Sequence, residues 1–308
     1  MGKSNSLITI VLVALIALAA GWYVGQQDLV TLENEEEVAV EEETSVVVEI
    51  PEKEEPVLPT LENVIFQVPE QEGVTTTIML DGEIFTGNFT IDEESEGTVT
   101  VVDNQLTAVN ETNFVVPFVV NNGGTGTFMY LALLNTTDES TAHVDSQFLG
   151  DRVGFETLLV EKNIVTVETL DRYEGQAMAE DPTTPVINRF LFQSTGLQHT
   201  ETFVNVDPDD IEMSASLTAE TVFPITITGT VPAGWVFEGD FPAQVMLAGE
   251  EVLLHYATQG FEEETFTGTL EPEELPEDLE GELAITIFRD NASDDRSLDA
   301  RYTKVISR

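Results

Sequence analysis

Cysteine is missing from all 308 residues, which excludes disulfides, thiolate metal centres and a cysteine nucleophile. Cations are scarce as well. Lys+Arg total 11 against 58 Asp+Glu, a formal net charge of −47. A reader of nucleic acid draws its affinity from a basic surface that releases counterions, so no nucleic-acid partner is expected. Only three histidines occur, His143, His199 and His255, and they stand far apart. They read as ordinary surface or half-buried side chains rather than ligands. After residue 62 no long stripe with a 3.6-residue period appears, so little helix is expected there. What is present is an apolar share of 42%, enough for a core of ordinary size.

The first residues bear on the compartment. Lys3 precedes a stretch with no charge from Ser4 to Gln27. Ala17-Leu18-Ala19 fits the small-x-small site of a removable signal peptide. Alternatively Leu7–Val24 is one helix, and its eighteen residues at ~1.5 Å each reach roughly 27 Å, just enough to span the hydrocarbon layer. Trp22 and Tyr23 would then lie at the outer interface. An uncleaved anchor over residues 1–25 is expected. Either reading sends the rest of the chain out of the cytoplasm, and Lys3 inside agrees with the positive-inside rule. The expected location is therefore the cell membrane, single-pass, with the C-terminal part outside.

Residues 26–62 read as a disordered acidic linker. Thirteen acidic residues lie between Asp28 and Glu62, with Glu35-Glu36-Glu37 and Glu41-Glu42-Glu43 as like-charge blocks that repel instead of packing. From Val64 the texture changes to short apolar runs rich in Thr and β-branched residues, split by Gly, Asn, Asp and Pro. Val64–Val68, Ile84–Thr90, Thr98–Val102, Phe114–Val120, Thr127–Leu134, Phe155–Val160, Ile164–Thr169 and Arg189–Gln193 read as strands. Gln198–Ser216 lacks a clear pattern and holds the turn signal Asp207-Pro208-Asp209-Asp210, so a domain boundary is placed near 216. Beyond it, Ile225–Val231, Ala243–Leu247, Val252–Gln259, Thr265–Leu270, Leu283–Arg289 and Arg301–Ile306 alternate apolar with polar, the mark of a sheet wet on one face. Trp235 and Phe237 are expected to fill the space between two sheets. The expected fold is mostly β: transmembrane helix 1–25, linker 26–62, a β-rich domain 63–216, and an immunoglobulin-like antiparallel β-sandwich 217–308.

The segment Pro224-Ile225-Thr226-Ile227-Thr228-Gly229-Thr230, followed by Gly234-Trp235-Val236-Phe237-Glu238-Gly239-Asp240-Phe241-Pro242, resembles the bacterial spore-germination immunoglobulin-like domain called Gmad2. Thr265–Leu270, Gly281-Glu282-Leu283 and Arg289-Asp290 lie where that family has its matching strands, so the resemblance covers roughly 222–307. Where the family usually has Trp in the middle connection, this chain has Gly260-Phe261-Glu262. The resemblance implies a sandwich in an envelope or surface protein. More loosely, Asn122-Gly123-Gly124-Thr125-Gly126-Thr127-Phe128, Leu149-Gly150-Asp151-Arg152-Val153 and Ala177-Met178-Ala179 are similar to an uncharacterised extracytoplasmic β-rich bacterial domain. Relatives there often carry an Asp/Asn/Gly-rich loop, and here Val109-Asn110-Glu111-Thr112-Asn113-Phe114 replaces it.

Chemistry-bearing motifs are few. Gly123-Gly124-Thr125-Gly126 lacks the Gly-Lys-Ser/Thr ending of a phosphate cradle and sits between strands, so it reads as a turn. Asp290–Asp295 offers loop oxygens to calcium but has neither the central Gly nor the final Glu of an EF-hand loop. A solvated hairpin loop is the plainer reading. Asp207–Asp210 is a weaker calcium candidate. Asp151-Arg152 and Asp171-Arg172 read as structural ion pairs at strand ends. Asn88, Asn110, Asn135 and Asn291 open glycosylation sequons that chance supplies at this composition. No Gly-x-Ser-x-Gly and no His-Glu-x-x-His occurs, and no catalytic, cofactor-binding or metal residue is assigned. A non-catalytic binding protein of the cell envelope is expected, with the membrane and an envelope protein or glycan as partners. The alternatives are an envelope enzyme with a carboxylate pair in the first domain, or a purely structural spacer.

Overall fold

The computed structural model describes residues 56–91, 96–194, 196–216, 224–232, 234–235, 240–247, 250–258, 265–270, 282–289, 293 and 295–306. The expected anchor 1–25 and most of the linker lie outside the described residues. So do Phe237 and Gly260-Phe261-Glu262. Among the described residues the fold is mostly β, with twenty strands and two short 3-10 turns, in keeping with the missing helical period. Residues 54–308 form one compact unit, and its three cores all close between residues 61 and 302. Leu61, at the far end of the expected linker, is already buried in the first core.

Nine strands make the first sheet: β1 (Ile65–Gln67), β2 (Thr75–Thr77), β3 (Met79–Asp81), β4 (Ile84–Thr90), β5 (Glu96–Val101), β6 (Thr107–Ala108), β7 (Asn113–Asn121), β8 (Phe128–Thr136) and β9 (Thr141–Asp151). Their order is β2-β1-β9-β8-β7-β5-β4-β3, with β6 added to β7. The sheet curls until β2 meets β4, where Thr76 Oγ1 donates to the Asn88 carbonyl at 2.8 Å. The result is barrel-like. Phe66, Phe89, Phe114, Phe118 and Tyr130 fill its inside.

The apolar runs of β7 and β8 show almost no alternation because both faces are buried. Phe114, Val116, Phe118, Tyr130, Ala132 and Leu134 point into the barrel. Val115, Met129, Leu131 and Leu133 point out, against Leu158, Val165, Val167, Phe190 and Leu197 of the second sheet. Pro117 is tolerated in this central strand for a local reason. The neighbour of β7 changes there from β5, which ends at Val101↔Phe118, to β6, which starts at Thr107↔Val115. The missing N–H faces that gap, and the Pro117 carbonyl still accepts from Val102 N at 2.9 Å.

The second sheet begins with β10 (Gly154–Glu161), β11 (Ile164–Asp171), β12 (Thr184–Gln193) and β13 (Gly196–Val204). The chain then forms β14 (Glu212–Ser216), β15 (Ile225–Thr230), β16 (Asp240–Leu247), β17 (Glu250–Thr258), β18 (Thr265–Leu270), β19 (Leu283–Phe288) and β20 (Arg301–Ile306). The eight-stranded order is β10-β11-β12-β13-β20-β19-β16-β17, and β14-β15-β18 forms a third sheet. Phe203, Tyr302, Ile285, Ile287, Val245 and Trp235 pack with Met213, Ile225, Ile227 and Phe266 between these two layers, as a β-sandwich. Within the three-stranded sheet β14 and β15 approach closely, and a Cβ on Gly229 would sit 1.9 Å from the Glu212 carbonyl.

Two differences from the sequence reading concern Gln198–Ser216. That stretch is not patternless chain but most of β13 and all of β14. In addition, β13 pairs with β20 through Glu201↔Lys304 to Val204↔Arg301. The hydrogen-bonded ladder therefore runs from residues before 216 to residues after it. Phe203, Ile211 and Met213 share one core with the later strands.

Candidate functional site

The second sheet changes the face it buries along its width. At β10–β13 the covered face carries Leu158, Val165, Val167 and Phe190, set against the barrel. At β20, β19 and β16 the other face is covered, by the three-stranded sheet. Following that other face from Phe203 towards the edge leads into the open. Ile187 pairs with Phe203 and Arg189 with Glu201, Thr166 pairs with Arg189 and Ile164 with Leu191, and Leu159 pairs with Thr166. Leu159 is 51%, Ile164 45% and Leu191 36% exposed. The loop after β13 walls one side. Asn205, Val206, Asp207, Pro208 and Asp209 line a groove of about 560 Å³ together with Leu159, Thr166, Glu168, Ile187 and Arg189.

Where the sandwich core gives way to this open face, Glu201 gathers three partners. Tyr302 donates its hydroxyl at 2.6 Å, Arg189 Nη1 lies at 3.2 Å and Lys304 Nζ at 3.5 Å. The Arg189 guanidinium also lies 4.9 Å from the Phe203 ring centroid. Burial, then the Glu201 carboxylate, pushes the Tyr302 phenol far above its usual range, so it stays a donor. Glu201→Ala strips the buried Tyr302 hydroxyl and Arg189 of their acceptor and is expected to cost ~2–3 kcal/mol in urea unfolding. A loss below about 0.5 kcal/mol would mark the network as solvent-screened.

A second feature lies in the barrel wall. β1 pairs with β9 in parallel, through Ile65↔Ala142. Beyond that point Gln67–Thr75, which hold the β1–β2 turn, and Ser146 of β9 line a cleft of about 690 Å³. Glu70 in this turn has φ +62°. Its carboxylate accepts from Tyr130 OH at 3.4 Å. Burial, with the Glu70 charge, pushes the Tyr130 phenol up to about 12. Ser146 and Phe148 pair with Ala132 and Tyr130 and so share the inward face, yet Phe148 is 54% exposed because the wall parts there.

His143 stands at the apex of this split, 5% exposed. Gln67 N donates to its Nδ1 at 3.0 Å, so Nε2 carries the proton and donates to the Asp145 carbonyl at 2.8 Å. Burial lowers its pKa to about 4, against the smaller raising effect of the Asp145 carbonyl and charge. His199 is also lowered, chiefly by burial, and meets Thr202 Oγ1 at 2.8 Å. The His255 side chain lies outside the described residues.

The other motifs have structural partners. Gly123–Gly126 forms the turn between β7 and β8. Arg152 holds it, donating from Nε and Nη2 to the Thr125 carbonyl at 2.9 and 2.7 Å, while Asp151 Oδ1 accepts from Thr127 N. Arg172 donates to the carbonyls of Arg152 and Glu180. Asp207 Oδ1 accepts from Asp209 N at 3.0 Å, making a side-chain-closed turn. Of Asp290–Asp295, Ser293 and Asp295 are described, and Asp295 caps a short turn by accepting from Ser297 N at 3.1 Å. Asn110 Oδ1 accepts from Thr112 N and Asn113 N, and Asn135 donates to Asn113. Among the described residues no group of three His, Asp or Glu is placed to hold a metal ion, and no helix is long and apolar enough to cross a membrane. Comparison of the chain with protein-family models, curated proteins and solved structures gives no match.

Proposed function

We propose that the chain is a membrane-tethered, extracytoplasmic, non-catalytic interaction protein of the bacterial cell envelope. One observation carries the binding part of this reading, namely the uncovered face of the second sheet. A sheet face that at β20–β16 is buried beneath the three-stranded sheet leaves Leu159, Ile164 and Leu191 exposed at the β10 end, beside a walled groove. Exposed apolar groups gathered on a rigid sheet are a partner surface in waiting, and a loop wall adds selectivity at little cost to the core. Their apolar character favours a protein partner over a glycan.

The tether rests on Lys3 and the uncharged Leu7–Val24 run. Residues 217–308 supply most of a sandwich whose three-stranded layer packs on β20, β19 and β16. That arrangement supports an immunoglobulin-like domain of the Gmad2 kind.

Two experiments test this reading. Protease added to intact cells should remove the folded part, whereas full protection would remove the topology from the account. Residues 54–308 should be retained by a purified cell-wall or surface-protein fraction without consuming it. Steady release of sugar or peptide products, abolished by one Asp or Glu substitution in residues 63–216, would replace the interaction protein with an envelope enzyme. Retention by no fraction would leave a spacer.

A further inference from the structure

The split in the barrel wall is a separate place from the open sheet face, and its chemistry differs. Ten residues line the cleft, including Glu70 and Glu72, with no Lys or Arg among them. Its size suits a small organic group. On the same inward face of β8 and β9 the rings of Tyr130 and Phe148 lie 5.3 Å apart, tilted by 56°. Phe118 stacks on Tyr130 at 5.4 Å from within the core, which fixes that ring. The Glu70 carboxylate joins the two features through its bond to Tyr130 OH. The exposed Phe148 ring thus adjoins, through the fixed Tyr130 phenol and its bond to Glu70, a cleft lined by two carboxylates.

Cationic groups satisfy all of these at once. The negative face of an aromatic ring attracts an ammonium group, and the attraction grows when a carboxylate neighbours the ring and water is partly excluded. A neutral polyol would use the hydroxyl and amide groups of Ser146, Gln67 and Gln71 but would leave the two carboxylates uncompensated. Glu70 is moreover held in the left-handed region, at φ +62°, a conformation that costs a non-glycine residue energy and that clusters at ligand clamps. The turn that imposes it is closed by Val68 N donating to the Val74 carbonyl at 2.9 Å and Val74 N to the Gln71 carbonyl at 3.0 Å.

We propose that the cleft between the β1–β2 turn and β9 binds an organic ammonium group, held between the Phe148 ring and the Glu70 carboxylate. The group comes either from a free quaternary amine or from a lysine side chain of a polypeptide. It binds without reaction.

Calorimetric titration of the 54–308 unit tests this with choline, a trilysine peptide and maltotriose as probes. One of the two amines saturates a single site. Phe148→Ala, at a half-exposed position, and Glu70→Gln each weaken that binding by about tenfold, whereas Glu174→Gln, in a loop elsewhere, leaves it unchanged. Choline binding more tightly assigns the free amine, and trilysine binding more tightly assigns the polypeptide. Equal binding to wild type and all three variants would reduce the effect to diffuse attraction by a chain of net charge −47 and would overturn the site. Saturation by maltotriose alone, or by no probe, would also overturn it. None of these outcomes bears on retention through Leu159, Ile164 and Leu191, so the two readings fail independently.

Discussion

Trp235→Ala is expected to destabilise the folded unit by ~3–5 kcal/mol, the range for deleting a large aromatic from a packed core. Trp235 is 4% exposed and packs in the core that joins the eight-stranded and three-stranded sheets. That sandwich has no disulfide to hold its layers, because the chain has no cysteine. The indole therefore fills volume that the surrounding side chains cannot reclaim by small movements. Urea unfolding followed by intrinsic fluorescence of the remaining aromatic residues and by circular dichroism measures the loss. A change below about 1 kcal/mol would mean that the ring is not part of the core.

The second large effect is one of pH. Neutral His143 accepts from Gln67 N and donates to the Asp145 carbonyl. Protonating Nδ1 would set two donors against each other. It would also place a charge beside Phe66, whose ring centroid is 4.7 Å away, and Phe118, at 5.6 Å. The one carboxylate next in sequence, Asp145, turns elsewhere, accepting from Ser146 N and Leu197 N. The folded-state pKa, lowered to about 4, lies below the unfolded value. The unfolded chain therefore takes up the proton first as pH falls. Stability is full above the unfolded pKa and is lost as pH drops from there towards the folded one. Between about pH 7.5 and about pH 5 the loss should be roughly 2 kcal/mol, before the carboxylates titrate. His143→Gln cannot take up a proton and should flatten this step in denaturant midpoints. An unchanged step in that variant would move the acid sensitivity to another group.

The parts of the fold that were legible in the sequence share one property, an unbroken pattern. The run Phe114–Val120 marks β7 because both faces are buried, and Ile84–Thr90 coincides with β4. The strands that were not legible have broken periods. β9, eleven residues long, slips register against β8 at two places, so its alternation fails, and it is absent from the strands read from the sequence. β13 faces a similar slip between Arg189 and Phe190, which hides it inside a stretch without pattern. β2 and β3, three residues each, are too short to show a period at all.

The sites were less legible still. Glu70 and Tyr130 are 60 residues apart in sequence, and Gln67 and His143 are 76 apart. What joins them is the parallel contact of β1 with β9, which no local pattern announces. Likewise the exposure of Leu159, Ile164 and Leu191 follows from the second sheet burying opposite faces at its two ends, since an alternating strand does not tell which face is covered. Asp151-Arg152 was readable as structural from its position at a strand end, and the Arg152 bonds to Thr125 give that reading a geometry.

Retention of a triple variant, Leu159→Thr, Ile164→Thr and Leu191→Thr, tests the interaction surface most directly. Threonine keeps the strand preference and removes apolar area from positions already exposed, so the unit should unfold within about 1 kcal/mol of wild type. The account predicts that this variant loses about tenfold or more of the wild-type affinity for whichever envelope fraction retains residues 54–308. Undiminished affinity in the folded variant would contradict it.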